Sequence, residues 1–526
     1  MITGSASAQS ANEVEVLHQT TLNLIKLLVK SGVLTQDAAD QLLRDAEQAA
    51  AKSVAASEAA AGVNQAAAPV AEAAVPVAQA GAPAVKPGVV RVTYVPEVVR
   101  REIKEEIRQE VLAQAKGERW GDPGALPDWL GRISWDGDLR LRYQRDGYPA
   151  NNAPPSAFNP VNNTSVLQLV TNTTDTRQRL RLQARLGMKA KVSDNTFAAF
   201  RLTTGTTTDP VSTNQTLGSS GNFNKSSVVF DRAYIQSSPY RWLTLSGGKI
   251  PNPWLSTDLV WDTDVNFEGV AASFTPRFND QWNGVFTAGA FPVQEIERST
   301  SVFAHSKWLY GAQAGAEWTG LNSSNAKFGV ALYQFKNVEG IQNPTLGSHI
   351  YDKTAFVGVQ KGNTLMDVNV GTDPALWGIA SRFKEVNLTG RMDWAAFDPI
   401  HVMLTADYVK NLGYDAADIA RRGGIASTPR TVGYQSILAV GMPKIRQARE
   451  WQFSLAYKYL QSDAVLDALT DSDFHLGGTN AKGFILGGIY GLDKNTTLGL
   501  RWYSSNQIDG PQLAIDTLQL DLNARF

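Results

Sequence analysis

An alternation of apolar and polar residues constrains this chain more than any other feature, and it persists from about residue 132 to residue 526. In the last segment, Leu518 and Leu520 alternate with Gln519 and Asp521. The same pattern occupies 139–144, 179–189 and 451–459. Because successive side chains of a β-strand point to opposite faces, a period of two predicts strands with one apolar and one polar face.

The lengths of the alternating segments distinguish a membrane barrel from a soluble sheet. A tilted transmembrane strand needs about 9–11 residues, whereas strands of soluble sheets most often have about 5–6. We predict sixteen strands of the longer kind. They lie near 132–144, 177–190, 196–204, 228–237, 241–250, 269–277, 282–291, 310–319, 326–335, 385–396, 401–411, 432–442, 450–460, 481–491, 496–505 and 516–526.

The connections between these segments alternate between short and long. Val192–Asn195 and Leu492–Asn495 are short, whereas Arg145–Thr176 and Lys336–Lys384 are long. An even strand number with short turns on one side and long loops on the other is typical of outer-membrane barrels. The sequence therefore predicts an all-β membrane protein: a sixteen-stranded antiparallel transmembrane β-barrel in the lipid bilayer of an outer membrane.

Tryptophan and tyrosine occur near many segment ends, as amphipathic rings do at the level of lipid headgroups. We interpret the set as two interfacial girdles, although any single ring could equally be a core residue. The set comprises Trp135, Tyr143, Tyr240, Trp242, Trp282, Tyr310, Trp318, Trp394, Tyr408, Trp451, Tyr490 and Trp502.

The first part of the chain has a different composition and predicts an α-helical, coiled-coil-like periplasmic extension. Ala6-Ser7-Ala8 has the form of a signal-peptidase site, so we interpret 1–8 as the end of a signal peptide, with a flexible tail as the alternative. The remaining predicted units are a helical hairpin at 9–49, an Ala/Pro-rich linker at 50–88, an amphipathic helix with a Pro-rich lead-in at 89–131, and the barrel at 132–526.

The amphipathic helix carries one narrow apolar stripe, formed by Val99, Ile103, Ile107 and Val111, on an otherwise charged surface. A single narrow stripe is typical of a seam between helices rather than of a globular core. We therefore predict that the stripe packs against the same helix of other copies, and that the protein is a homotrimer with a periplasmic helical stalk.

Several classes of partner are excluded or disfavoured by composition. The formal net charge is −1, which gives no support to a nucleic-acid partner. The chain has no cysteine, so it has neither disulfides nor thiolate metal sites. We expect no cofactor and no metal centre.

Arginines concentrate on the polar face of neighbouring strands. An arginine at the bilayer midplane costs about 2–4 kcal/mol, so the apolar face must point to lipid and the guanidinium groups into the lumen. Barrel closure would bring the last strands beside the first two. We predict that these residues, here called the basic wall, line one side of a pore: Arg140, Arg142, Arg179, Arg181, Arg185, Arg501 and Arg525. The alternative is that acids on neighbouring strands, such as Asp521, neutralise them.

Three motifs resemble the putative porin family of Gram-negative bacteria: Asp209–Leu217, Tyr94–Glu97 and Asp471–Asn480. The resemblance covers most of the chain from about residue 89 onward. It implies an outer-membrane barrel and says little about the solute. It also implies that the terminal Phe526 is the aromatic residue read by the barrel-insertion machinery.

The resemblance further implies that the third long loop folds into the lumen and supplies acids that face the basic wall. Those acids would be Asp258, Asp262, Asp264 and Glu268. Three of them also resemble the start of a calcium loop, but Phe267 stands where the sharp-turn glycine belongs. This departure argues against an EF-hand and leaves an irregular calcium site as an alternative.

Enzymatic function finds little support. The five histidines are far apart, and only His475, near Asp471 and Asp473, has the neighbours that a catalytic site would need. We predict a porin, a passive diffusion channel for small polar or charged solutes with weak charge selectivity. The alternative is a structural anchor that ties the outer membrane to peptidoglycan or another periplasmic partner through the N-terminal helices.

Overall fold

A computed structural model of the chain describes residues 130–158, 170–320 and 322–526. The predictions for the signal-peptide end, the helical hairpin, the linker and the stripe on the amphipathic helix lie outside the described residues.

Sixteen long strands form the wall of the molecule, and each pairs antiparallel with its neighbours in sequence order. They are β1 (Ile133–Gly147), β2 (Arg177–Lys191), β3 (Thr196–Thr204), β4 (Val228–Tyr240), β5 (Leu243–Pro251), β6 (Asn266–Phe274), β7 (Trp282–Gln294), β8 (Lys307–Thr319), β9 (Asn325–Lys336), β10 (Lys384–Phe397), β11 (Ile400–Asn411), β12 (Val432–Gly441), β13 (Trp451–Leu460), β14 (Ala481–Gly491), β15 (Thr496–Gln507) and β16 (Ala514–Arg525). Each of the sixteen predicted segments overlaps one of these strands, so the predicted strand number is confirmed.

The sheet closes into a barrel because β1 pairs with both β2 and β16. Leu141 lies opposite Leu182 on one side and opposite Leu522 on the other. The chain ends beside this seam, where the backbones of Gly137 and Phe526 exchange two hydrogen bonds of 2.9 and 3.0 Å. A Cβ atom on Gly137 would lie 2.4 Å from the far end of the Phe526 ring, so a larger residue here would displace that ring. The C-terminus therefore lies at the rim that carries the short turns, which is the periplasmic rim in barrels of this architecture.

The longer connections emerge at the opposite rim, and we number them L1 to L8. They span 148–176, 205–227, 252–265, 295–306, 337–383, 412–431, 461–480 and 508–513. Within them lie three short strands (Gln215–Thr216, Leu365–Asp367 and Trp377–Ile379), the helix α1 (Ala416–Arg421) and 3₁₀ turns at Pro155–Phe158, Asp352–Thr354, Asp467–Leu469 and Phe474–Leu476. A further 3₁₀ turn, Leu130–Arg132, precedes β1.

The outer face of the barrel is apolar, as the alternation requires. Leu139, Leu180 and Leu520 are exposed on it, whereas Gln183 and Gln519 of the same strands are buried inside. Trp282 lies opposite Trp318, and Trp451 opposite Tyr490, near the short turns. No helix in the described part of the chain is long and apolar enough to cross a membrane.

The largest apolar core lies inside the barrel, where L3 packs against the inward face of β6 to β9. Trp261 of L3 contacts Phe267 and Tyr333, with ring centroids 4.9 and 5.1 Å apart. Trp254 also packs on Tyr333 at 5.3 Å, and both tryptophans are almost wholly buried. Large aromatic rings supply much buried area for few residues, so this cluster holds L3 within the lumen.

Candidate functional site

The basic wall lies on strands that barrel closure brings side by side. Arg142 of β1 is directly opposite Arg181 of β2, and Arg140 is opposite Gln183. Arg501 of β15 is opposite Gln519 of β16, the strand that pairs with β1. Since the leucines that alternate with these arginines face outward, the guanidinium groups point into the lumen.

Arg142 departs from the expectation of an exposed wall residue, because its side chain is 0% exposed. Its Nε and Nη2 donate to the two carboxylate oxygens of Asp521, at 2.7 and 2.9 Å. Its Nη1 donates to both oxygens of Asp473 in L7, at 3.0 Å each. The residue therefore joins L7 to the closing seam of the barrel and does not line open space.

Three other residues of the wall have uncharged hydrogen-bond partners. Arg140 donates to Asn214 at 2.6 Å, and Arg181 donates to Gln144 at 3.1 Å. The Arg501 guanidinium lies 3.5 Å from the Tyr503 hydroxyl, and its side chain is exposed to the lumen. Within the part of the chain that the structure describes, none of the three forms an ion pair with a carboxylate.

The remaining members of the wall differ from one another in charge balance. Arg179 pairs with Asp146 at 2.5 Å, and Arg185 pairs with Asp138 at 2.9 Å. Arg525 is exposed at the short-turn rim, away from the loops. Among the described residues, the acid proposed for neutralisation, Asp521, forms its ion pair with Arg142.

L3 crosses the lumen from one wall to the other. Near its start, the backbone of Leu255 forms two hydrogen bonds of 2.8 Å with the Gln313 side chain of β8. Thr257 then donates its hydroxyl to Asp407 of β11 at 2.6 Å. Near its end, Asp264 accepts from Arg185 of β2 at 3.4 Å. These contacts on three strands position the loop within the barrel.

Two of the predicted loop acids have opposite pKa shifts. Burial alone would raise the pKa of Asp258, but the Lys458 ammonium at 3.2 Å and a hydrogen bond from Gln435 outweigh burial and hold it below its ordinary value. Burial raises the pKa of Asp262 well above its ordinary value, and the neighbouring Asp471 raises it further. Asp262 therefore contributes less negative charge at neutral pH than a free aspartate would.

Glu268 lies in β6 and not in L3, which corrects its predicted position. The ladder between β5 and β6 begins at Pro251 and Asn266, so Glu268 is already opposite Lys249. The two side chains form an exposed ion pair at 2.6 Å. Glu268 thus faces Lys249 instead of the basic wall.

L7 also folds into the lumen, which the sequence reasoning did not anticipate. Its Asp471 accepts from Lys458 at 2.7 Å, and its Ser472 donates to the Val211 carbonyl of L2 at 2.9 Å. The backbones of L3 and L7 are joined directly, since Asp262 donates its N–H to Leu469 at 2.8 Å. Burial would raise the pKa of Asp473, but Arg142, Arg501 and Arg181 together hold it well below its ordinary value.

A cavity of about 370 Å³ separates the basic wall from the two inward loops. Arg140, Arg185 and Arg501 of the wall line it together with Asp258 and Asp264 of L3, and Arg185 and Asp264 lie 3.4 Å apart. Asp262, Asp471 and Asp473 are also part of its lining. The arrangement places positive and negative groups around one water-accessible space inside the barrel.

The carboxylates of the suggested calcium loop do not converge on one point. Asp262 accepts backbone N–H groups of Asp264 and Ser472, whereas Asp264 accepts from Thr213 and Arg185. No group of three or more potential ligand residues with metal-site geometry occurs among the described residues. These carboxylate oxygens accept hydrogen bonds from N–H and O–H donors.

His475 is buried and lies 3.0 Å from the Ser505 hydroxyl, which itself donates to the Ile515 carbonyl at 3.0 Å. Burial lowers the pKa of His475 well below its ordinary value, and Lys361 nearby lowers it further. The suggested acidic neighbours Asp471 and Asp473 pair instead with Lys458 and Arg142. The serine hydroxyl is thus directed to a carbonyl and not to the histidine.

Among the lumen residues that the sequence reasoning missed, Lys458 could have been found from the sequence, whereas the inward position of Asp471 and Asp473 could not. Lys458 alternates with Tyr457 and Tyr459, which already marks it as inward-facing on β13. Asp471 and Asp473 lie in the motif Asp471–Asn480, but nothing in their spacing shows that L7 folds inward. Contacts between L7 and β1 join residues 331 positions apart, which local pattern does not record.

The sequence model of the putative porin family matches residues 18–526. No curated protein sequence matches the chain.

Several solved structures are similar in fold. The outer membrane channel DcaP of Acinetobacter baumannii is 13% identical, with 75% of this chain and 97% of that chain covered and a TM-score of 0.38. OprB of Pseudomonas putida is 10% identical, with 77% and 97% covered and a TM-score of 0.44. An anion-selective porin from Comamonas acidovorans is 12% identical, with 75% and 99% covered and a TM-score of 0.40. These likenesses are too distant to transfer a solute or a residue role.

Proposed function

The chain belongs to the putative porin family, and from that premise we propose an outer-membrane channel through which small polar or charged solutes diffuse passively. The observation that carries the proposal is the 370 Å³ cavity between the basic wall and the inward loops. Its lining is mostly polar or charged, which suits hydrated solutes.

The charge arrangement supports weak selectivity over a dedicated ion filter. Arg140, Arg181 and Arg501 lack an acidic partner within the described residues, whereas Asp258 is balanced by Lys458. Lys458 also pairs with Asp471, and Arg142 is shared by Asp473 and Asp521, so groups of both signs remain on the inner surface and we propose a weak charge selectivity. Because water and salt screen charges over about 8–10 Å, this selectivity should weaken as salt concentration rises.

A planar-bilayer measurement on the purified full chain tests the proposal. We expect stepwise conductance in potassium chloride and a small zero-current potential in a salt gradient, which shrinks as the salt concentration rises. The absence of any conductance from correctly folded barrels would contradict a channel and would favour the structural anchor.

We further propose that the protein is a homotrimer whose N-terminal region lies in the periplasm. The apolar stripe of Val99, Ile103, Ile107 and Val111 would form the seam between copies. Replacing Ile103 and Ile107 by Asp should then release monomers in native electrophoresis. An unchanged oligomer would mean that the barrel wall alone holds the subunits together, and a monomeric wild type would mean that no trimer forms.

Phe526 is proposed to be the residue that the barrel-insertion machinery recognises. Its side chain is 73% exposed at the short-turn rim, where another protein can contact it. Phe526→Ala should lower the amount of folded barrel in the membrane without changing the conductance of the channels that do insert.

A further inference from the structure

A second cavity of about 430 Å³ lies at the loop rim, above the site already described. Arg177, Arg179 and Arg181 of β2 line it, together with Lys361 of L5. Residues two apart on a strand share a face and are separated by about 6.6 Å, so the three guanidinium groups form a row along one wall.

The positive charges of this cavity are only partly balanced. Asp146 pairs with Arg179, whereas the hydrogen bonds of Arg181 to described side chains go to the neutral Gln144 and Ser212. The Nε of Arg181 is buried and has no hydrogen-bond partner among the described residues. Lys361 donates to the carbonyl oxygens of His475 and Gly477, the latter at 2.6 Å, and to no carboxylate within the described residues.

One other acid is present in the cavity. Asp209 of L2 accepts the backbone N–H of Val211 at 3.1 Å, and burial raises the pKa of its carboxyl. Burial lowers the pKa of Lys361 to about 7, so its ammonium is only partly charged at neutral pH. Arg177 and Arg181 still outnumber Asp209, so an anion entering the cavity meets net positive charge.

Part of the lining of this cavity is apolar. Val170, Leu513 and Ile515 are buried residues of one small core, and Leu476 and Tyr148 pack against it. A bare inorganic oxyanion would leave this surface uncovered, whereas an organic acid would place its carboxylate on the arginines and its hydrocarbon part on the apolar side.

We propose that this cavity is a capture site for small organic acids, at which a carboxylate binds the Arg177–Arg181 row and the hydrocarbon part contacts the Leu513 side. The proposal rests on the channel function and names the class of solute that it concentrates at the loop rim. A site at the entrance of a channel raises the local concentration of the solute and biases passage toward it.

The test uses isothermal titration calorimetry on the purified full chain with benzoate, acetate and inorganic phosphate at matched ionic strength. We expect benzoate to bind about tenfold more tightly than acetate, because its ring covers apolar surface. Benzoate should also bind more tightly than phosphate. The double substitution R177Q/R181Q should weaken benzoate binding tenfold or more.

The control variant R241Q/R446Q removes two exposed arginines from the short-turn side and should bind benzoate as the wild type does. Both variants are checked for barrel folding by their heat-dependent electrophoretic mobility. Equal binding of benzoate and acetate, tightest binding of phosphate, or equal losses in the two variants would each overturn the proposal. Failure of the channel function is a separate result, since it appears as absent conductance in potassium chloride while calorimetry still reports binding.

Discussion

The two halves of the lumen are built from opposite chemistry. On the side of β6 to β9, Trp254 and Trp261 of L3 pack on Phe267 and Tyr333 and leave little open space. On the side of β15, β16, β1 and β2, arginines face two cavities. L3 contacts both halves. Its apolar residues pack against the aromatic half, and its carboxylates face the basic half. Different residues of L3 therefore determine how far it narrows the lumen and which charges it places there.

The largest loss of stability should come from a substitution in the aromatic half. Replacing Trp261 by Ala removes a buried ring and should lower the free energy of unfolding by about 3–5 kcal/mol. The loosened L3 should also make the current noisier. Guanidinium unfolding followed by fluorescence measures the first effect. Trp282→Ala is the matched control because that ring is exposed on the outer face, and an equal loss in both variants would show that L3 is not held by its aromatic contacts.

A somewhat smaller loss of stability should come from breaking the contacts of Arg142 with Asp473 and Asp521 in the basic half. Arg142→Gln leaves the carboxylates of Asp473 and Asp521 without their partner and should cost about 3 kcal/mol, the lower end for a buried pair. The lower end applies because Asp473 is 17% exposed and water can partly solvate it. Arg525→Gln, at the exposed rim, should cost almost nothing in the same unfolding assay. If the two variants unfold alike, L7 is held by its other contacts.

Stability should also depend on pH through L7, which packs against the aromatic half as well as the basic half. Burial raises the pKa of Asp463 to about 6 and that of Asp467 to about 7, both in L7. An acid whose pKa is higher in the folded state is bound to more protons there, so stability falls as pH rises from about 4 to about 7. Each of the two carboxyl groups should account for a loss on the order of 2–3 kcal/mol over this range, at about 1.4 kcal/mol per unit of pKa difference.

Unfolding measured at intervals between pH 4 and pH 8 checks this expectation. Asp467→Asn should flatten the pH dependence, whereas Asp175→Asn, which removes an exposed carboxylate of L1, should leave it unchanged. A stability that rises with pH over this range would contradict the prediction.

The smallest effects concern selectivity, because each charge acts through water. Replacing Arg181 and Arg185 by Glu should move the zero-current potential toward cation preference. Replacing Asp258 and Asp262 by Asn should move it the other way and by less, since Asp258 is tied to Lys458 and Asp262 carries reduced charge. If neither double variant changes selectivity or conductance, these residues do not line the narrowest part of the path.

The wall of the barrel was predictable because its pattern repeats over every strand. Alternation specifies which face of β1, β2 or β16 meets lipid, and connection lengths specify which rim carries the loops. The inward fold of L3 came from the family resemblance and not from spacing. The folding of L7 onto β1 was missed because Asp473 and Arg142 are far apart in the chain and neither has an unusual neighbourhood in sequence.

The arginines show the same limit at the level of single residues. Alternation predicts that Arg140 and Arg142 share the inward face, and both do. It does not predict that Arg142 lies between two carboxylates while Arg140 meets an asparagine. That difference depends on where Asp473 of L7 and Asn214 of L2 come to rest.

The Arg142 bridge also has a consequence for the order of assembly. Its two carboxylates lie 331 and 379 residues further along the chain, and one of them belongs to the last strand. The guanidinium group therefore cannot acquire both partners until β16 has paired with β1. A chain that stops short of β16 would hold Arg142 without Asp521 and L7 without its full anchor. Closure of the wall therefore completes the anchoring of L7, and Arg142 takes part in both.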